Sequence, residues 1–188
     1  MIAGGDTAQP VHEDPPVLIC AGLQVECLAE AAGAEMTVSR CSTLLSVWRA
    51  NLWPVLHLKR IARAAWFDPQ SGQGGWIAGF RPCPGEMVFE HPLPSAYSST
   101  RFAEYMSSLK NIRCAVMGLS LDETILATVI EGFHRSHRYQ IVADAVACAV
   151  AGGGEEGAHK RSIMRAAGRF AGIVQSGDLV KAAATAVT

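Results

Sequence analysis

Along most of the chain, short continuous apolar runs alternate with stretches of helical spacing. Just after Pro15 and Pro16, the run Val17-Leu-Ile-Cys-Ala-Gly-Leu23 has the length and composition of a strand buried on both faces. From about Gln24 to Leu52, the apolar positions Leu28, Leu44, Leu45, Val47 and Trp48 follow a partial helical period. The spacing predicts helix there, broken near Gly33, with Asn51 where a C-cap falls. Pro54-Val-Leu-His-Leu-Lys59 predicts a second strand. Residues 61–86, with Phe67-Asp-Pro-Gln-Ser-Gly72 and Arg81-Pro-Cys-Pro-Gly-Glu86, are turn-rich and predict the longest loop region. Glu86-Met-Val-Phe-Glu90 predicts a third strand, and residues 100–109 a helix that Ser99 caps.

The next unit is clearer. Arg113-Cys-Ala-Val-Met-Gly118 reads as a strand, Thr124 to Ser136 as a helix, and Tyr139-Gln-Ile-Val-Ala-Asp144 as the returning strand. Gly152 to Gly154 interrupts the pattern. A helix over 155–170, a short strand at Gly172-Ile-Val174 and a C-terminal helix complete it. Strands alternating with helices predict an α/β fold with a parallel sheet covered on both faces and right-handed crossovers. Ligands of such sheets sit beyond the carboxyl ends of the strands. This points to 21–24, 90–97 and 118–124.

Composition narrows the partners. At 188 residues the chain fits one domain, expected over 16–188 behind a flexible leader at 1–15. A hydrophobic share of 49% suffices for a substantial core, and a net charge of -1 with scattered Lys and Arg gives no footprint for nucleic acid or an anionic membrane. No apolar run approaches the roughly 18 residues of a membrane span. The six cysteines form no CxxC pair and several lie in apolar runs, so a reduced, cytoplasmic setting is expected.

The strand-exit segments resemble the isochorismatase-like family of hydrolases, which includes nicotinamidases and carbamoyl-sarcosine amidohydrolases. The resemblance runs from about Pro16 to Val180. Val17 to Gln24 is similar to the family's opening strand, which ends in Asp-Met-Gln, and Pro54 to Leu58, Phe67 to Gly72 and Pro84-Gly-Glu86 followed by Ser95 to Thr100 are similar to later signatures. Gly118-Leu-Ser-Leu-Asp-Glu-Thr124 is the most specific match, with Thr128 and Asp144-Ala145 at the family's spacing. The resemblance implies a three-layer α/β fold with a six-stranded parallel sheet, and a homodimer or homotetramer.

It also locates the chemistry. The family uses an aspartate as acid or base, a lysine that lowers a thiol pKa, and a cysteine nucleophile at a helix start. Carried over position by position, these fall on Gly22, His91 and Thr124, and all three differ. A threonine hydroxyl does not ionise as a thiol does; it needs a base within about 2.6 to 3.2 Å. The resemblance further implies an oxyanion hole at the amides of Ser120 and Thr124, a cis peptide before Ser120, and ligand contacts from Gln24 and Tyr97.

Other residues have plainer readings beside functional ones. His91 is either a base for Thr124 or a space-filling group where the lysine was lost. Strand alternation turns Glu90 away from the His91 face, and Asp122 and Glu123 suit the positive end of a helix. Cys20 is a displaced nucleophile or an inert strand thiol. Trp66, Phe67, Trp76 and Tyr97 line a pocket or merely pack. His134 and His137, three apart on the expected helix, lack partners for a zinc site. Residues 61–80 hold no histidine of the kind nicotinamidases use for metal. No metal or cofactor is expected.

Three functions follow: a non-catalytic or strongly diverged relative keeping a pocket for a small carbonyl or carboxylate compound, an altered hydrolase of amide, N-carbamoyl or ester bonds using Thr124 and His91, or a structural subunit of an oligomer.

Overall fold

A computed structural model describes residues 15–31, 34–61, 74–109, 112–149 and 156–186. The strands are β1 (Val17–Ala21), β2 (Val55–Arg60), β3 (Met87–His91), β4 (Arg113–Gly118), β5 (Arg138–Val146) and β6 (Gly172–Val174). They form one six-stranded sheet in the order β3-β2-β1-β4-β5-β6, and every pairing is parallel. The order reverses at β1, so the carboxyl ends of β1, β2 and β4 flank the switch point where ligands of such sheets bind. The central β1 is buried along its whole length, as its unbroken apolar run requires.

The helices are α1 (Val25–Glu30), α2 (Glu35–Ala50), α3 (Thr100–Ser108), α4 (Leu126–His134), α5 (Glu156–Ala167) and α6 (Ser176–Ala186). On one side of the sheet, Ile19, Leu58, Val116 and Ile141 pack with Phe102 and Met106 of α3, Val129 of α4 and Ala167 of α5. On the other, Leu18, Cys20, Ala115 and Met117 meet Cys41, Leu44, Leu45 and Trp48 of α2, with Leu179 and Val180 of α6. The α2 contacts recur at 37, 41, 44, 45 and 48, the spacing of one helix face. Each such Leu or Ile contributes roughly 1.5 to 3 kcal/mol on burial. The Trp48 indole is satisfied inside the core, donating from Nε1 to the Pro16 carbonyl at 2.9 Å.

The break in the first helical stretch falls between Glu30 and Glu35, around Gly33 as expected. Several other expectations are corrected. Ser99 occupies the N-cap of α3, but its hydroxyl makes no capping bond; its carbonyl accepts from the Ala103 amide at 3.0 Å. Glu86 precedes β3, drawn inward by the ion pairs described below. The helix after β4 starts earlier than Thr124, as a wide turn over Leu121–Ile125, and ends at His134. His137 is therefore off the helix, and its Nδ1 lies 2.6 Å from the Tyr97 hydroxyl. The leader, Trp66, Phe67, the Phe67–Gly72 signature and Gly152 to Gly154 lie outside the described residues.

Candidate functional site at the strand exits

The site is shaped where β1 and β4 end side by side. Gly118 has φ +127, and a Cβ on it would lie 1.9 Å from the Ala21 carbonyl oxygen; only glycine allows the strands to meet so closely. The Leu119 amide then donates to Ala21 at 2.9 Å. Gly22 also has positive φ, +62, and a Cβ there would sit 2.9 Å from the Leu119 carbonyl oxygen and 3.5 Å from the Cys27 sulfur. The position that the resemblance matches to the family's aspartate is thus bounded by backbone on one side and edged by a thiol on the other.

The chain turns at Ser120, whose φ of 64° and ψ of 53° are left-handed, a conformation that costs a non-glycine residue about 1 to 2 kcal/mol. No cis peptide occurs among the described residues, so the bond before Ser120 is trans, contrary to expectation. The wide turn follows, closed by the Ile125 amide donating to the Ser120 carbonyl at 3.2 Å. Such wide turns are rare and recur at functional sites. Among the described residues, neither the Ser120 amide nor the Thr124 amide donates to a backbone carbonyl outside 121–125.

His91 and Thr124 are both buried, at 0% and 2% exposure. His91 Nδ1 lies 2.7 Å from the Leu93 carbonyl oxygen. A carbonyl only accepts, so Nδ1 carries the hydrogen and Nε2 presents a bare lone pair. That Nε2 has no hydrogen-bond partner among the described residues, so it does not touch the Thr124 hydroxyl. Burial, helped by the Arg60 charge, lowers the His91 pKa and keeps the ring neutral.

Gln24 is wholly buried, but its amide is occupied. Oε1 accepts from the Arg60 amide at 2.8 Å, while Nε2 donates to Glu26 Oε1 at 3.1 Å and to the Arg60 and Gly74 carbonyls at 3.2 and 3.3 Å. It stitches the ends of β1 and β2 together. Tyr97 is not brought to the strand exits: its hydroxyl lies 2.8 Å from that of Tyr139, at the amino-terminal end of the sheet. Trp76 places its ring edge-on to His57. Glu90 faces outward, paired with Lys59 at 3.1 Å. Asp122 accepts from the Ala149 amide at 3.1 Å.

Three residues at the exits were not foreseen. Arg60 Nη1 donates to Glu123 Oε2 at 2.7 Å, joining the strand on one side of β1 to the turn on the other. A cation ending an apolar strand at a switch point was the available signal. Glu26 is nearly buried beside Gln24, and burial raises its pKa. Cys27, the thiol beside Gly22, is pushed up to about 12 by burial, with the Glu26 and Glu30 charges adding to it and a Ser120 hydrogen bond opposing. At neutral pH it is a protonated, 3% exposed group, not a nucleophile. Burial likewise holds the Cys20 thiol far above its usual range. Two cavities, of about 270 and 250 Å³, open near the amino-terminal ends of β4 and β5, and none of Gly22, His91 or Thr124 lines them.

A three-layer α/β architecture on a six-stranded parallel sheet, with a glycine-bounded strand exit followed by a wide turn, defines the class. The family model described as Isochorismatase domain matches residues 16–178, and the chain belongs to that family. Its fold is similar to that of an isochorismatase from Pseudomonas putida KT2440, with 23% identity and a TM-score of 0.78 over 88% of this chain and 93% of that one. A cysteine hydrolase from Pseudomonas syringae pv. phaseolicola 1448A gives 15% identity, TM-score 0.79 and coverage of 90% and 92%. For N-carbamoylsarcosine amidase from Thermoplasma acidophilum the values are 20%, 0.65, and 86% and 96%. Among the described residues no helix is long and apolar enough to cross a membrane.

Proposed function

We propose that this chain is a diverged, non-catalytic member of the isochorismatase family that keeps the scaffold and binds a small carbonyl or carboxylate compound at the Ser120 and Thr124 amides. One observation carries the reading: at Gly22 the backbone itself has closed on the carboxylate position, with the Leu119 oxygen 2.9 Å from where a Cβ would be. Without that carboxylate the Thr124 hydroxyl depends on another base, and His91 Nε2 makes no hydrogen bond to it. The protein is expected to act as a homodimer or homotetramer without nucleic-acid or membrane partners. A reduced, cytoplasmic setting suits six cysteines none of which forms a disulfide.

The test is direct. Purified protein is assayed against amides, N-carbamoyl compounds, esters and isochorismate beside its Thr124→Ala variant, and thermal melts are run with small carboxylates and amides. The expected result is no turnover above the variant, with melting raised by a ligand that prefers the folded state. Turnover that disappears with Thr124→Ala overturns the reading.

The hydrolase reading has one observation in its favour: His91 is held in the tautomer whose Nε2 can accept a proton. It requires substrate binding to bring that nitrogen to the Thr124 hydroxyl. Its rate would rise with pH through a pKa below the ordinary histidine value, and would fall in a His91→Gln variant.

A further inference from the structure

On the α5 side of the wide turn lies a second cluster, which the triad positions do not touch. One donor atom each from Asp122, Cys148 and His159 lies within 4.8 Å of the others. The three come from separate segments: the turn after β4, the exit of β5 and the second turn of α5. We propose that Asp122, Cys148 and His159 form a binding site for a zinc-class transition-metal ion, with one coordination position left for water or a small ligand.

One of the three donor separations already matches what such an ion requires, and the others lie within 4.8 Å. Tetrahedral zinc with bonds of about 2.0 to 2.3 Å sets its oxygen, nitrogen and sulfur donors about 3.3 to 3.6 Å apart. Asp122 Oδ2 and His159 Nε2 already stand at 3.3 Å. The other Asp122 oxygen accepts from the Ala149 amide, which orients the carboxylate as outer partners orient metal ligands. The Leu121 amide donates to the Ala147 carbonyl at 2.8 Å, so the turn and the segment carrying Cys148 are joined on both sides of the cluster. Cys148 is 2% exposed while half of the His159 side chain is open to solvent, giving a buried sulfur with an entry path over the imidazole. Lys160, next in α5, directs its ammonium to the Val146 carbonyl.

A thiolate, an imidazole and one carboxylate select zinc or cobalt over magnesium or calcium, which need more oxygen donors. On binding, the proton now between His159 and Asp122 moves to Nδ1, the thiol releases its proton to solvent, and the metal accepts the three lone pairs. No electron is transferred.

Cobalt(II) is the probe, added to the full chain under reducing conditions. The expected result is one ion per chain, a near-ultraviolet thiolate-to-cobalt absorption, and displacement by zinc. Cys148→Ala removes the absorption, while His159→Ala and Asp122→Asn raise the cobalt Kd at least tenfold, about the minimum for outer-shell changes. Absence of the absorption in the wild type overturns the proposal, as does its survival in Cys148→Ala, which would assign it to another thiol such as the exposed Cys83. Should Cys148→Ala fail to fold, the exposed His159→Ala decides: unchanged cobalt affinity there overturns the site equally.

Discussion

Two buried histidines on neighbouring strands, His57 on β2 and His91 on β3, sit in contrasting surroundings, one inside a charge cluster and one without a charged hydrogen-bond partner among the described residues. Each ring has one nitrogen bonded to an acceptor and one without a partner among the described residues. Their acceptors differ. His57 Nε2 donates to Glu86 Oε2 at 2.8 Å, and that carboxylate also takes two bonds from Arg49, at 2.7 and 2.8 Å, and one from the Cys83 amide. His91 donates only to a backbone carbonyl. The charge cluster ties α2, β2 and the loop before β3 together. On the reading proposed above, the strand exit carries no such cluster around Gly22, His91 and Thr124 among the described residues, so the charges that hold the scaffold stand apart from the candidate site.

The sharpest way to break the charge cluster is Glu86→Gln. Burial opposes the Glu86 charge, yet the bonds from Arg49, Cys83 and His57 hold its carboxyl down to about 2 from 4.5. A lowered carboxyl pKa stabilises the fold above the ordinary range and loses that contribution as pH falls toward 2. The shift corresponds to about 3 kcal/mol, and for a chain of this size roughly 10 °C of melting temperature. Glu86→Gln is expected to lose most of this at neutral pH and to flatten the acid limb of stability between pH 4.5 and 2. His57 and His91, both lowered from 6.5 by burial, add a separate loss as pH falls below that value, which the variant retains at His91. Thermal melts from pH 7 to pH 2 measure both.

The strand exit is tested by Gly22→Asp, which places there the residue type that the resemblance implies. Because φ is +62 and the new Cβ meets the Leu119 oxygen, the variant is expected to lose on the order of 2 kcal/mol. It should gain no hydrolysis, even when combined with His91→Lys and Thr124→Cys. A stable, active triple variant would mean that the strand exit accommodates a carboxylate despite the Leu119 oxygen, and the contrast between the two regions would collapse.

Much of the fold could be read from residues alone, while the charge cluster around Glu86 could not, and the reason lies in which interactions are local. Strands buried on both faces announce themselves as apolar runs, so β1, β2, β4 and β5 were legible, whereas the wide turn over Leu121–Ile125 was read as a helix starting at Thr124. The geometry at Gly22 was not, because it depends on the carbonyl of Leu119, far away in sequence. Tyr97 was misplaced for a similar reason: a residue near a strand exit directed its hydroxyl through the layer to His137 and Tyr139 at the opposite end. Gln24, read as a ligand contact, had its amide taken by Arg60 and Gly74. Polar partners remote in sequence leave no period to detect.

The smallest expected effect concerns the ion pair that now spans the switch point. Arg60 and Glu123 each keep about a third of their side chain in solvent, 33% for both, so water and salt screen the attraction despite its 2.7 Å length. A double-mutant cycle with Arg60→Ala and Glu123→Gln should therefore give a coupling below about 1 kcal/mol, shrinking further in high salt. The pair matters for what it does to a ligand. Arg60 is a cation near the Thr124 turn, and while bonded to Glu123 it is partly neutralised toward an arriving carboxylate. Glu123→Gln should then tighten binding of a small carboxylate that raises the melting temperature, and Arg60→Ala should weaken it, with stability nearly unchanged in both. Identical affinities in the two variants would place the ligand away from this exit, whatever the scaffold retains.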